Sequence, residues 1–511
     1  MLSLINSCGL IGINGYTVKV ETDVGNGLPR FDLVGLPDAS VKEAKERVHS
    51  AIKNSGFGFP AKKIVVNLAP AALKKVGASY DLPIAVSVLC ATNQLPLEPI
   101  KDAVFIGELS LDGSVYPVNG VLPMVISALS EGYDVFYVPK ENAAEASAVT
   151  GAKVYPVSML KDIYEHLCTS NKIEQYVHNE NDLTDSLIDT VLDFKDVKGQ
   201  ENAKRAIEIA AAGNHNVLLI GPPGTGKTML AQRIPGILPD LTTEESLEVT
   251  KIHSIAGILP SGVSMLKTRP FRSPHHSVSA SGLTGGGAGL PRPGELSLAH
   301  NGVLFLDELP EFRRDVLEAM RQPLEDGIVT ISRVAASLTY PCNMMLVASM
   351  NPCKCGYFGD SNHRCSCTPT QIDMYRSKIS GPLLDRIDIQ VEVGSVNYSD
   401  LSTTEATDST AIIKERVNKA RKIQQERYKN LSIYANAQLN SGQLEEYCKI
   451  GEREHKLLEN AFNKLGLSAR AYSRILKVAR TIADLESSEN INAAHIAEAI
   501  QYRSLDRKYF E

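Results

Sequence analysis

Residues 221–228 read GPPGTGKT, and the apolar run NVLLI at 216–220 leads directly into them. The spacing is that of a phosphate loop, G-x-x-x-x-G-K-T, in which a strand delivers the chain to a glycine-rich turn and a helix leaves it. Through Gly221, Pro222, Pro223, Gly224, Thr225 and Gly226 the backbone can curl so that its amides face phosphate oxygens. Lys227 would neutralise charge at the β and γ phosphates, and the Thr228 hydroxyl would ligate Mg2+ at a helix N-terminus. Downstream, VLFLDE at 303–308 is an apolar strand ending in two carboxylates. Asp307 suits a magnesium ligand acting through the ion's water shell, and Glu308 suits a general base that polarises an attacking water. Together the two segments predict hydrolysis of a nucleoside triphosphate, ATP with Mg2+.

A second constellation is built from sulfur. Cys353-x-Cys355 and Cys365-x-Cys367 offer four thiolates in two close pairs around a glycine-containing loop, with His363 as an alternative ligand. Four sulfurs suit a closed, tetrahedral, structural zinc site. The C-x-C spacing is tighter than the common C-x-x-C, so four reduced thiols in a loop stand as the other reading. The chain holds nine Cys, an odd number, and no segment with the pattern of a secretory signal, so disulfides are not expected.

Periodicity supplies the elements that must position these groups. Residues 1–168 alternate strand patterns (TVKVETDV, RFDLVGLP, KKIVVNLAP, DVFYVP) with helical ones, among them a stripe of Val41, Ala44, Val48, Ala51 and Ile52. A hairpin is expected at Asp112-Gly113, and helices over VLPMVISALSEG and MLKDIYEHL. Residues 169–190 turn polar and acidic, as a linker does. Residues 191–395 form a second α/β unit, and 396–511 comprise a connecting segment and a helical lid. With 511 residues, 43% hydrophobic and 22% charged, the chain has room for several cores and is neither disordered nor fibrous. Its net charge of -6 gives no overall basic footprint, so any nucleic-acid contact must come from local basic loops or from a ring that concentrates them. No segment approaches a membrane span, and a cytoplasmic location is expected.

Over essentially its whole length the sequence resembles the ComM (YifB) group of magnesium-chelatase-like AAA+ ATPases. The resemblance is carried by GYTVKVETDVGNGLPRFDLVGLPD, GPPGTGKT, FRSPHHSVS, GLTGGGAGLPRPGELSLAHNGVLFLDELPEF, NPCKCGYFGD with RCSCTP, GPLLDRID and SARAYSRILKVARTIADL. It implies a Lon-protease-like first domain, an AAA+ α/β core and a helical lid. By this resemblance Asn351, at the end of MMLVASMN, is sensor 1 and orients the lytic water. Arg386 in GPLLDRID is similar to an arginine finger acting on a neighbour's ATP, which implies a homo-oligomeric, hexameric ring. Arg470 resembles the sensor 2 arginine, with Arg474 and Arg480 as competitors. The group's members are similar to DNA motors that promote branch migration in natural transformation, which implies DNA and recombination proteins as partners. A protein-remodelling or metal-insertion ATPase, as in magnesium chelatase, is the alternative.

Two insertions belong to that branch: an excursion over about residues 253–300, and GIVTISRVAASLTYP, which alternates like a hairpin. Arg333 near the hairpin tip is the expected DNA phosphate contact, with Arg272, His275 and His276 as weaker ones. In the Lon-like domain Ser79 falls where a nucleophile would sit, but Leu122 occupies the position of the activating Lys. Lys74 and Lys75 lie in another element, so a fold without peptidase activity is expected.

Overall fold

The computed structural model describes residues 2–177, 192–287, 291–333, 337–360, 363–395, 408–431, 433–505 and 509. Most of the polar stretch 169–190 expected as a linker, and the segment 396–407, lie outside the described residues.

The first α/β unit is built on a seven-stranded sheet, ordered Arg30–Val34, Lys63–Ala69, Asn14–Gly25, Leu2–Ile11, Ala103–Phe105, Val135–Pro139, Lys153–Val157. The helix Ala39–Asn54 buries the expected stripe of Val41, Ala44, Val48, Ala51 and Ile52, and the Asp38 carboxylate caps its N-terminus by accepting from the Val41 amide. Periodicity had no purchase on Asp81–Ala91, a helix buried on every side and therefore without an amphipathic pattern. This unit docks on the second through the helix Thr243–Ala256, where Ser254 Oγ donates to the buried Glu145 at 2.5 Å and the Gly120 amide to the Ser254 carbonyl at 3.1 Å.

The second unit is a five-stranded, wholly parallel sheet ordered Phe271–Arg272, Val303–Leu306, Met345–Met350, Val217–Ile220, Ile389–Glu392. Its central strands are apolar without alternation because both faces are covered. Val217, Leu219, Phe305 and Val347 pack towards the helix Glu201–Gly213 and the lid, whereas Leu218, Ile220, Leu306 and Ala348 face the opposite layer. One expectation needs correction here. The stretch 253–300 is not all insertion, because Thr243–Ala256 continues as helix to Gly257 and Phe271–Arg272 is the outer strand of the core sheet. A two-residue parallel pairing is too short to leave a period in the sequence. The second insertion is the expected hairpin, Ile328–Ser332 against Ser337–Pro341.

The lid helices Thr410–Arg427, Ser441–Tyr447, Glu452–Leu465, Ala469–Leu485 and Ala493–Gln501 close over one face of this sheet. Their polar centre is Asp484, 1% exposed, which accepts from Arg427 at 2.5 and 2.9 Å and from Asn436 at 2.8 Å. Where lid meets core, the buried Asp388 pairs with Arg474 and with His215, whose other ring nitrogen meets Thr481 at 2.8 Å. Burial alone would raise the Asp388 pKa, but these cationic and hydrogen-bonding neighbours hold it well below the usual carboxylate range.

Candidate functional site

Parallel pairing brings the predicted triphosphate residues to one edge of the sheet. Val217 to Ile220 pair with Val347 to Met350, and Leu306 pairs with Ala348, so the phosphate loop, Asp307 and Asn351 all leave the carboxyl ends of adjacent strands. The helix Lys227–Ile237 starts at the last loop residues and turns its free N-terminal amides to the same place. Gly224 and Gly226 have φ of 77° and 87°, and a Cβ on either would meet nothing within 4 Å, so the loop's inner face is open to a polyphosphate.

Lys227 is folded into this loop. Its Nζ donates to the carbonyls of Gly221 at 2.7 Å and Pro222 at 2.8 Å, and to Asn351 Oδ1 at 3.2 Å. Burial pushes its pKa down to about 8, against the upward pull of Asp307 and Glu308. Phosphate oxygens would add negative charge there and favour the ammonium. Thr228 Oγ1 donates to Asp307 Oδ2 at 3.0 Å, so the two groups expected to share Mg2+ already lie side by side. Glu308 is half exposed and adopts φ of 55°, a left-handed conformation that a glutamate takes only when its surroundings impose it. Its amide donates to Asp307 Oδ1 at 3.1 Å and to Ser349 Oγ at 3.3 Å, while the Ser349 hydroxyl donates to Asp307. Ser349 was not anticipated; its signal was a lone hydroxyl two residues before Asn351, on the same side of an otherwise apolar strand.

The arginines fall elsewhere. The Arg386 carbonyl accepts from Asn216 at 2.9 Å, and Asn216 precedes the strand Val217–Ile220. At about 3.3 Å per residue the Arg386 backbone therefore lies about one strand length, roughly 13 Å, from its own phosphate loop. Its guanidinium is held by Glu325 and the Pro382 carbonyl. Arg470 is exposed and pairs with Asp385 at 3.1 Å, beside Arg386. The competitors are engaged in structural bonds: Arg474 with buried Asp388, Arg480 with Asp484 and the Ser488 and Glu489 carbonyls.

Among the weaker DNA candidates, Arg272 is engaged within the chain. Glu295 clamps it at 2.7 and 2.8 Å, leaving it part-buried in a structural pair. His276 Nδ1 lies 3.8 Å from Glu308 Oε2, at the hydrolytic edge, with the His275 ring 4.0 Å away. Arg333 is exposed, its guanidinium beside Gly286 of the first insertion, and residues 334–336 of the hairpin lie outside the described residues.

The four cysteines converge. Cys353, Cys355 and Cys365 have Sγ–Sγ separations of 3.3 to 3.7 Å, and all four sulfurs lie within 4.8 Å of one another. Four thiolates at about 2.3 Å from one ion would stand about 3.8 Å apart, so the set fits zinc. His363 stacks on Tyr357 and faces Asp360 instead. In the first unit, Leu122 is buried and Lys75 is committed to the Pro70 and Leu73 carbonyls, so neither serves as a base for Ser79.

Comparison with known proteins agrees with this geometry. Residues 193–401 match the family described as magnesium chelatase, subunit ChlI; residues 20–142 match the subunit ChlI of Mg-chelatase, and 407–503 its C-terminal part. The chain is 45% identical to the competence protein ComM of Haemophilus influenzae, covering 99% of this chain and 98% of that protein. It is 44% identical to YifB of Escherichia coli over the same shares, and 30% identical to Lon protease 2 of Bacillus subtilis over 26% of this chain and 25% of that one.

Glu308→Gln is expected to retain ATP binding while turnover falls by about a hundredfold or more, because the phosphate cradle stays intact and only the base is lost. Lys227→Ala is expected to lose both. Binding and steady-state ATPase assays on the two variants check this, and near-normal turnover by Glu308→Gln would remove it as the base. Metal analysis of the purified protein should find about one zinc per chain. Cys353→Ser combined with Cys365→Ser should abolish it, whereas a metal content near zero in the parent would establish the free-thiol loop.

Proposed function

We propose that this chain, which belongs to the ComM/YifB family of magnesium-chelatase-like AAA+ ATPases, is an ATP-hydrolysing, hexameric DNA motor that promotes branch migration while incoming DNA is recombined. The observation that carries the ATPase part is the meeting of Lys227, Thr228, Asp307, Glu308 and Asn351 at one sheet edge. In this reading the loop amides and Lys227 bind and orient the triphosphate. Thr228 and Asp307 would hold Mg2+, which would supply charge neutralisation on the triphosphate. Glu308, fixed by its strained backbone and by Ser349, takes the proton of the attacking water, and Asn351 holds that water in line.

The distance of Arg386 and Arg470 from their own phosphate loop supports a ring. Each would reach the ATP of an adjacent subunit and stabilise charge on the transferring phosphoryl group. Glu325, which holds Arg386 in the single chain, would be displaced by the stronger acceptor. The DNA part rests on family resemblance, on the likeness to the Haemophilus competence protein and on the exposed Arg333 beside the first insertion. A protein-remodelling or metal-insertion ATPase is the second reading, favoured by the magnesium-chelatase description of all three matched segments.

Arg386→Ala and Glu308→Gln should each be inactive alone, Arg386→Ala by about a thousandfold or more. Mixed rings of the two should regain activity, since some interfaces then receive an intact half from each partner. Mixed rings without recovery would overturn a finger acting in trans. Arg333→Ala should leave basal ATPase nearly unchanged while reducing its stimulation by DNA and flattening the salt dependence, because fewer counterions are released per ring. DNA-stimulated ATPase across a salt series measures both. No stimulation of the parent protein would transfer the assignment to the second reading.

A further inference from the structure

The cysteine knuckle and the phosphate loop were separate features of the sequence, yet they touch. Gly356, at φ of 90°, packs so closely on the loop that a Cβ there would lie 2.6 Å from Pro223 Cδ. From this contact a cavity of about 430 Å³ opens, lined by Val197, Gln200, Gly224, Met229, Tyr357 and His363 among others. Its walls do not include Asp307, Glu308 or Asn351. A triphosphate laid along the loop with its γ end towards Glu308 must therefore carry its nucleoside in the other direction, into this cavity, whose size suits one.

We propose that the knuckle is a wall of the nucleotide pocket, and that, closed by its metal, it holds Tyr357 as the platform on which the base of ATP stacks. Among the described residues that line the cavity, Tyr357 and His363 are the aromatic rings, stacked on each other at 4.8 Å with an interplanar angle of 30°. The knuckle is fixed from behind as well: Arg376 donates to the Pro352 carbonyl at 3.1 Å and lies 4.7 Å over the Phe358 ring. Tyr357 leaves the chain two residues after Cys355, between that rear anchor and the sulfur cluster. Cross-linking the two cysteine pairs through one ion closes the loop that bears both rings. Opening it frees Tyr357 from the pocket without touching Lys227 or Glu308. The sulfur cluster is thereby given a task at the nucleotide, the positioning of its base side, on the footing that the loop binds ATP and the cysteines bind zinc.

The test uses the full-length protein, with binding of a non-hydrolysable ATP analogue and of inorganic tripolyphosphate measured by calorimetry and zinc by metal analysis. Tyr357→Ala should keep its zinc and weaken the analogue about tenfold or more, with tripolyphosphate unaffected, since stacking on an aromatic face reads only the base. Tyr357→Phe, which keeps the face, should bind like the parent. Cys353→Ser with Cys365→Ser should show the same loss, and adding Tyr357→Ala to that pair should weaken binding no further. Parental affinity in Tyr357→Ala, or equal loss of tripolyphosphate, overturns the platform. Additive losses in the combined variant, or a parent that binds the analogue without holding zinc, overturn the role of the metal. A parent that binds neither ligand overturns the ATP reading and the platform with it.

Discussion

The nucleotide edge depends on the register of parallel strands. Ile220 opposite Met350 and Leu306 opposite Ala348 place Gly221, Asp307 and Asn351 at neighbouring strand ends. A slip of one residue in either pairing would turn the carboxylates and the amide to the wrong face. Two contacts tie the register to the chemistry: the Lys227 ammonium bridges its own loop to Asn351, and Ser349 links its strand to Asp307 and to the Glu308 amide. Burial lowers the Lys227 pKa to about 8, against the upward pull of Asp307 and Glu308.

The opposite end of the same strands has a different economy. Asn216 binds the Arg386 carbonyl and the Leu346 amide, and His215 and Asp388 join the core to the lid at Thr481 and Arg474. His215, Asp388 and Thr481 are buried here and bonded to one another or to Arg474, so they hold the lid in position on the core. Arg386 and Arg470 sit at the rim of this joint, coupled through Asp385 and Glu325 to the end of the sheet far from their own phosphate loop. Arg386 belongs to the core and Arg470 to the lid, so the Arg470–Asp385 pair spans the joint between them.

The first unit contributes by docking. The contact of Glu145 and Gly120 with Ser254 fastens it to the helix that precedes the first insertion. Ser79 lies beside a cleft between the two units, while Leu122, a side chain that cannot take a proton, is buried.

The sequence by itself determined the chemistry of single positions. The phosphate loop, the acidic strand end and the four cysteines are local patterns whose residue types and spacing point to phosphate, Mg2+ and either zinc or free thiols, and the stripe from Val41 to Ile52 specifies its helix. It also marked the hairpin, because a period of two survives in eleven or so residues. Tertiary structure decided everything that depends on distant segments meeting. It paired Arg474 and Arg480 with the buried Asp388 and Asp484 and left Arg470 exposed beside Asp385, engaged Arg272 with Glu295, and brought His276 to Glu308. It converted part of an apparent insertion into the edge strand Phe271–Arg272, and it set Gly356 against Pro223. Side-chain type fixes which bonds a residue can make, but only packing fixes which partner arrives first and whether water is left to compete.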